Sequence, residues 1–405
     1  MHVPRSFRSA FLFRCLPVLA GILVALIDPA VAASAPAAAT ARTARTVAVG
    51  IAAESVPLQT EPVSFDSPRW RFEGQAHRVE SYLGRPALYL ENAVAALDDV
   101  DFREGVIEFD VAFADSRGFC GVEFHRRGGG DHEHFYLRPH QSGFPDASQY
   151  QPVFGDWDAW QIYTGPGFST ALDLRFDAWQ HVRVVVSGGQ ADIYVDSDEP
   201  VLFVEELLRR DPGGGLALMA SFAPARFSNF RFAAAAGLPL RGSPGDREPP
   251  AEGLVRTWNV SSTFEEERLA GVLDLSDLAV EGRTWTSIPV EVMGIANLAR
   301  ALPTGDGNTV LASVTIHSDR DRVVLMDFGF SDRVHVFVNG ALVYAGSDGY
   351  RTRDHRFLGT VGLFDALPLS LRAGSNDVTF AVSEDFGGFA VVARLRSLDG
   401  LRIEP

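Results

Sequence analysis

The sequence predicts an all-β chain folded as two consecutive β-sandwiches. Three observations predict this. Short runs alternate apolar and polar side chains, the period of a strand. Gly, Pro, Asp and Asn fall between these runs at short intervals. A stretch rich in Pro, Gly and charge, GLPLRGSPGDREPPAEG at 237–253, divides the chain and has no apolar periodicity. With 405 residues, 46% of them apolar, the chain has enough material for two cored domains and tails.

Taken in order, residues 1–32 read as a secretory signal peptide. Arg5, Arg8 and Arg14 precede an apolar run from Leu16 to Ile27, which is too short to span a bilayer. Ala30-Val31-Ala32 then offers a small-residue cleavage site before Ala33. The expectation is an exported chain, periplasmic or extracellular, with no membrane attachment after cleavage. Residues 33–60, rich in Ala, Thr and Pro, read as a flexible tail.

The first sandwich is expected over 61–235. Its strand runs are ALYLENA, GVIEFDVAF, GFCGVEFHRR, HEHFYLRP, AWQIYTG, WQHVRVVVSG, ADIYVD and FSNFRFA. A linker is expected over 236–253 and the second sandwich over 254–403. There the runs are NTVLASVTIHS, DRVVLMDFGF, RVHVFVNGALVYAG, NDVTFAVSE and FAVVARLRSL. Asn339-Gly340 between alternating runs is a two-residue hairpin signal. Only TFEEERLAGVL and PVEVMGIANLARAL hint at helical turns.

Composition excludes several functions. The formal charge is −16, and −18 once residues 1–32 are removed, so nucleic acid and anionic lipid should be repelled. All 36 basic residues are arginine, which excludes a Schiff-base lysine. Cys120 has no intrachain partner beyond Cys15 of the leader and reads as a buried strand residue. No phosphate loop, dinucleotide fingerprint, Ser-His-Asp motif or Cys-x-x-Cys pair occurs.

Alternation assigns faces. Ile107, Phe109, Val111 and Phe113 share one face, Glu108 and Asp110 the other. Cys120, Val122 and Phe124 oppose Glu123 and His125; Phe135 and Leu137 oppose His134, Tyr136 and Arg138. If sequence neighbours pair as a meander, one face carries Glu108, Asp110, Glu123, His125, His134, Tyr136 and Arg138, with Tyr163 or Trp160. Such ring-bearing and planar polar groups match sugars, taking up hydroxyls and stacking on pyranose C–H faces. The bland alternative is a face paired within itself or covered by other parts of the chain.

The runs GVIEFDVAF, GFCGVEFHRR, FYLRP, WQHVRVVVSGGQADIYVD and ASFAPARFSNFRF resemble the concanavalin A-like lectin/glucanase superfamily. Its laminin-G-like and 3-keto-disaccharide hydrolase branches come closest. The resemblance implies a curved sandwich whose concave sheet holds ligand. In the second half, VHVFVNGALVYAG and LPLSLRAGSNDVTFAVSE resemble the galactose-binding-like jelly rolls appended to carbohydrate-active enzymes. Neither resemblance fixes a function: the first superfamily includes lectins, glycosidases, lyases and adhesion modules, and the jelly rolls bind sugar in some proteins and are only structural in others.

The reading is therefore glycan binding on the first sandwich. A glycoside hydrolase or lyase acting on an oxidised or modified sugar is the second reading, with Glu123 and His134 as its catalytic candidates. The third is a structural or adhesion module. Glucanases of this superfamily carry E-x-D-x-x-E on one strand; here Glu108-x-Asp110 is followed by Val111, Ala112 and Phe113, so the third acid is missing. His132-x-His134 with His125 falls short of an assigned metal site, since the glycine-rich turn puts His132 at a loop. No cofactor is expected, except that DDVD (98–101) and DSDE (196–199) are candidate calcium loops if they are not simply solvated turns. Tyr350, Arg353, Asp354, His355 and Arg356 are expected to dock on the first sandwich, and Phe386 and Phe389 to serve as core and turn residues. The sequence is silent on oligomeric state.

Overall fold

The computed structural model describes residues 60–405 except 129, 211, 247–248, 279–281, 292, 302–306, 351 and 353–360. The expected leader at 1–32, the expected tail up to residue 59, and Arg353, Asp354, His355 and Arg356 lie outside the described residues.

The fold is all-β. The N-terminal strands are β1 (Glu61–Pro62), β2 (Arg71–Tyr82), β3 (Arg85–Leu97), β4 (Gly105–Phe113), β5 (Phe119–Arg127), β6 (Asp131–Leu137) and β7 (Ser148–Val153). They continue with β8 (Ser169–Thr170), β9 (Gln180–Ser187), β10 (Gln190–Val195), β11 (Leu202–Val204), β12 (Gly215–Ser221) and β13 (Ala225–Ala234). The path runs β11-β10-β9-β4-β13-β3-β12-β5-β6-β7-β8, with β2 on β3 and β1 on β13.

Strand β3 serves both halves of this path. Its Leu88–Leu90 part pairs with β13, and its Ala93–Leu97 part pairs with β12. Between them Asn92 takes a left-handed φ of 43°, a conformation that short amide side chains tolerate. The two halves face each other across one core. Ile107, Phe109, Val111, Val182 and Val184 come from one half; Val122, Phe124, Phe135, Leu137, Leu216 and Leu218 come from the other. These are the alternate positions that the strand period predicts.

The expected meander forms only in part: β5, β6 and β7 pair in chain order, but β4 lies apart from them. Strand β4 pairs with β9 and β13, whereas β5 pairs with β6 and β12. Long-range pairing sets this order, and local alternation does not encode it. AWQIYTG is also not a strand: residues 158–164 are turns and coil.

The second sandwich holds β14 (Thr257–Ser261), β15 (Trp285–Pro289), β16 (Ala296–Asn297), β17 (Thr309–Ser318), β18 (Arg322–Ser331) and β19 (Arg333–Val338). After these come β20 (Ala341–Ser347), β21 (Asp365–Leu371), β22 (Gly374–Ser383), β23 (Ala390–Leu395) and β24 (Leu401–Glu404). One sheet has the order β15-β14-β17-β22-β19-β20 with β24 on β17; the other is β16-β23-β18-β21. Trp258, Val314, Val336 and Phe380 meet Phe328, Phe330, Leu369 and Val391 between them. Asn339 and Gly340, at φ 50° and 88°, make the β19–β20 turn, as the dipeptide requires. The two helical hints become single 3-10 turns at Glu266–Leu269 and Leu298–Ala301.

The sandwiches are pressed together. Leu254, Ile295, Ala390 and Val392 of the second join the core of the first. The 154–168 loop carries the contact: Gln161 N donates to Gly387 O (2.8 Å), Ser331 Oγ to Gln161 Oε1 (2.7 Å) and Asn297 Nδ2 to Tyr163 Oη (3.0 Å). A Cβ at Gly388 would lie 2.8 Å from Ile162, so the close approach requires glycine there. Among the described residues, no helix is long and apolar enough to cross a membrane.

Candidate functional site

The outward face of the β3-β12-β5-β6-β7 layer floors a groove. Two rows of side chains cross it in register. One is Glu123, His134 and Gln151; the other passes through Tyr136 and Gln149. His132, His134 and Tyr136 stand at every second position of β6 and form a ladder, with ring centroids 5.6 and 4.6 Å apart. Trp160 and Asp158 from the 154–168 loop, Phe119 and Phe222, and Phe386 from the second sandwich wall the cavity, which encloses ≈ 160 Å³.

The strands and the loop fix one another. Gln149 Nε2 donates to Trp160 O (2.8 Å), and Ala159 N donates to Gln151 Oε1 (2.8 Å). Tyr136 Oη donates to Gln149 Oε1 (2.5 Å). Arg138, buried, reaches Asp146 through Nη1 (2.6 Å) and Tyr136 Oη through Nη2 (3.1 Å). Trp160 meets Phe386 and Tyr350 edge-on, with centroids 5.5 and 5.9 Å apart.

Electrostatics separate the roles. Burial holds His134 and His132 down to about 3, so both are neutral at pH 7. Neither ring nitrogen of His134 meets a hydrogen-bonding partner among the described residues, although the residue is only 6% exposed. Glu123 pairs with Arg126 (2.9 Å) and lies 3.8 Å from His132 Nε2. Burial, reinforced by the charge of Glu123, pushes Asp158 up to about 6; Gln151 Nε2 donates to it at 3.3 Å. Burial also lifts Tyr136 to about 12.

Of the expected set, the structure gathers Glu123, His134, Tyr136 and Arg138, the last at one end of the groove. Glu108 and Asp110 are elsewhere, on the outward face of the other layer, because β4 does not neighbour β5. There Asp110 accepts from Arg85 (2.5 Å), Asn229 (2.6 Å) and His181 (2.8 Å), and Glu108 accepts from Arg231 (2.6 Å). His125 departs for a different reason. A bulge follows Phe124, His125 takes φ 52°, and its Nε2 donates to Arg103 O at 2.8 Å. Tyr163 is fully buried at the contact between the sandwiches, since its segment turns instead of running straight.

Phe386, expected as core or turn, is a wall of the groove, while Phe389 is core as expected. Asp158, Gln149 and Gln151 were missed. Gln149 and Gln151 alternate within ASQYQPV, a run whose strand character is masked by its polarity; Asp158 sits in a loop that tertiary contacts place.

Carboxylates of both calcium candidates lie in ion pairs with arginines. Asp98 meets Arg71, Asp99 meets Arg69, Asp101 meets Arg103, and Asp196 meets Arg175. Among the described residues, no three His, Cys, Asp or Glu converge as metal ligands. Burial pushes the Cys120 thiol up, which leaves it unreactive.

No family model matches the sequence, and no curated protein matches it. Among solved structures, a carbohydrate-binding module from Bacillus subtilis is similar at 12% identity, over 40% of this chain and 93% of that one, with TM-score 0.31. A galectin-like protein of unknown function from Bacillus subtilis aligns at 12% identity, over 40% and 88%, with TM-score 0.31. A β-glucanase from Bacillus licheniformis aligns at 9% identity, over 45% and 100%, with TM-score 0.29.

Proposed function

We propose that this chain is an exported glycan-binding protein that holds sugar in the groove between Trp160 and the His132–His134–Tyr136 ladder, on a concanavalin A-like sandwich. One observation carries the reading. His134 is buried with both ring nitrogens unpartnered, in a groove walled by aromatic rings. A buried polar group without a partner costs about 1–3 kcal/mol, and a sugar hydroxyl can both donate to and accept from an imidazole. Trp160, Phe119, Phe222 and Phe386 supply faces for the apolar side of a pyranose. The second sandwich, with its galactose-binding-like strand pattern, acts here as a wall.

The test is a glycan array probed with the native chain and with His134→Leu. Saturable binding by the native chain, lost in a variant of unchanged melting temperature, supports the site. Absence of binding by the native chain overturns it and favours the structural-module reading. Export is checked separately: the N-terminus of the protein recovered outside the cytoplasm should be Ala33, and an intact Met1 counts against it.

Asp158 favours a second reading, glycoside hydrolysis. Its carboxyl is pushed up to about 6, suited to a general acid, and the charge of Glu123 acts on it. Release of reducing ends from a bound oligosaccharide, abolished by Asp158→Asn with binding retained, supports hydrolysis. Binding without release leaves a lectin.

A further inference from the structure

The groove does not end at Trp160. A second cavity of ≈ 130 Å³ adjoins it, sharing Phe119, Trp160, Phe222 and Phe386. Its polar lining is Arg117, Arg138, His140 and Gln141, and none of its lining residues is acidic among those described. This contrasts with the rest of the chain, whose formal charge is −16, and with the neighbouring groove, which carries Glu123, Asp156 and Asp158. Two arginines thus gather where the groove turns from carboxylates to cations.

The state of each cation decides what the cavity can take. Arg138 is 3% exposed, its charge is opposed by Asp146, and its Nε has no partner among the described residues. Arg117 is exposed, makes no ion pair among the described residues, and packs 5.1 Å from the Phe222 ring centroid. His140 sits edge-on to Phe119 at 5.3 Å, and its Nδ1 is buried without a partner. Burial first, and then the charges of Arg138 and Arg117, lower its pKa; the N–H of the neutral ring is engaged by the backbone of Gly118, which leaves Nδ1 an acceptor. The cavity therefore offers one unbalanced positive charge, an unpartnered buried guanidinium N–H and an imidazole. A planar or tetrahedral anionic group satisfies the two arginines, and a hydroxyl beside it can donate to the imidazole. A long polyanion does not suit a chain of this net charge.

Building on the glycan-binding reading, we propose that the ligand is an acidic glycan whose single anionic substituent, a uronate carboxylate or a sulfate ester, seats against Arg117 and Arg138 while its neighbouring sugar lies over the His134 ladder. Arg138 positions the anion, His140 accepts from an adjacent hydroxyl, and Arg117 supplies the net charge. Trp160, shared by both cavities, sits between the two subsites.

The test compares matched pairs of oligosaccharides on the purified chain by calorimetry: galacturonan and galactan fragments, glucuronoxylan and xylan fragments, and sulfated and desulfated galactan fragments. The acidic member of at least one pair is expected to bind about tenfold more tightly, one exposed ion pair with hydrogen bonds being of that order. Arg117→Gln, an exposed position that folding does not need, should remove that preference and leave neutral binding within about twofold. Carboxyl reduction of the uronate fragments separates the two anion sources. If it abolishes the preference, the carboxylate is the group; a preference confined to the sulfated pair assigns sulfate. Equal binding of acidic and neutral partners, or a preference that survives Arg117→Gln, overturns the anionic subsite and leaves glycan binding standing. No binding to any fragment, neutral or acidic, defeats the glycan reading itself and this inference with it.

Discussion

The two outward faces of the first sandwich look alike in sequence and differ in kind. On the β4 face, Glu108 and Asp110 alternate with apolar residues, and each is answered: Arg85, Asn229 and His181 close on Asp110, and Arg231 closes on Glu108. On the β6 face, His132, His134 and Tyr136 alternate in the same way, but the network stops short of His134. Asp110 is about as buried as His134, at 7% and 6% exposed, so what separates the two faces is that the carboxylates of the first have their partners. The second is walled by the 154–168 loop and by Phe386, and neither ring nitrogen of His134 has a partner among the described residues. Polar patterning alone does not mark a site. The proposed site rests instead on a buried group without a protein partner among those described, where a ligand hydroxyl would offset the cost of burial.

Exchanging one histidine on each face should break this contrast most visibly. His134→Leu is expected to lower glycan affinity about 100-fold, since hydrogen-bonding groups at the centre of a buried site carry 2 kcal/mol or more. The same change should hold or raise the urea midpoint, because an unpartnered buried imidazole gives way to a side chain of similar size. His181→Leu should do the reverse, leaving affinity unchanged and lowering stability. Calorimetry and urea melts on both variants decide it. Equal loss of binding in the two would erase the distinction between the faces.

The loop that makes the second face different can be loosened from beneath. Tyr163 is fully buried and its hydroxyl accepts from Asn297 Nδ2 at 3.0 Å, across the contact between sandwiches. Asn297→Ala removes that donor and is expected to cost about 1–3 kcal/mol. Trp160 rides on the same segment, so affinity should fall severalfold although Asn297 lines neither cavity. A stability loss without any change in affinity would show that Gln149, Phe386 and Tyr350 place Trp160 without help from Tyr163.

How much of this was legible follows from which interactions are local. The strands, the face assignments within each strand and the Asn339-Gly340 turn depend on neighbours a few residues apart, and alternation encodes them. Whether β4 lies beside β5 depends on β13, more than 100 residues later, and no local period reports it. That is why Glu108 and Asp110 were grouped with His134. His125 shared the right alternation and was lost to a bulge, a one-residue event that the sequence does not mark. Phe386 reaches the groove only because Gly387 and Gly388 allow the second sandwich to approach residues 161–162.

Titration should sharpen the contrast last and least, because the two faces lean in opposite directions. His134 and His132 are held down to about 3, below the 6.5 of an unfolded histidine. Their contribution is complete above pH 6.5 and is lost as pH falls toward 3. His181 is raised to about 9 by its bonds to Asp110 and Glu108. Its contribution is complete below pH 6.5 and is lost as pH rises through 9. Other groups slope the same curves: burial raises Glu133 and Glu291 to about 7, so stability is also lost as pH rises through their range. Differences between native and variant chains isolate the histidines. Between pH 6.5 and 5, native should lose roughly 1–2 kcal/mol more than His134→Leu. Between pH 7 and 9, native should lose only ~1 kcal/mol more than His181→Gln, because water screens a half-exposed ring. If His134→Leu follows the native acid slope, burial does not hold His134 below the 6.5 of an unfolded histidine, and the ring takes up protons as freely as it does in water.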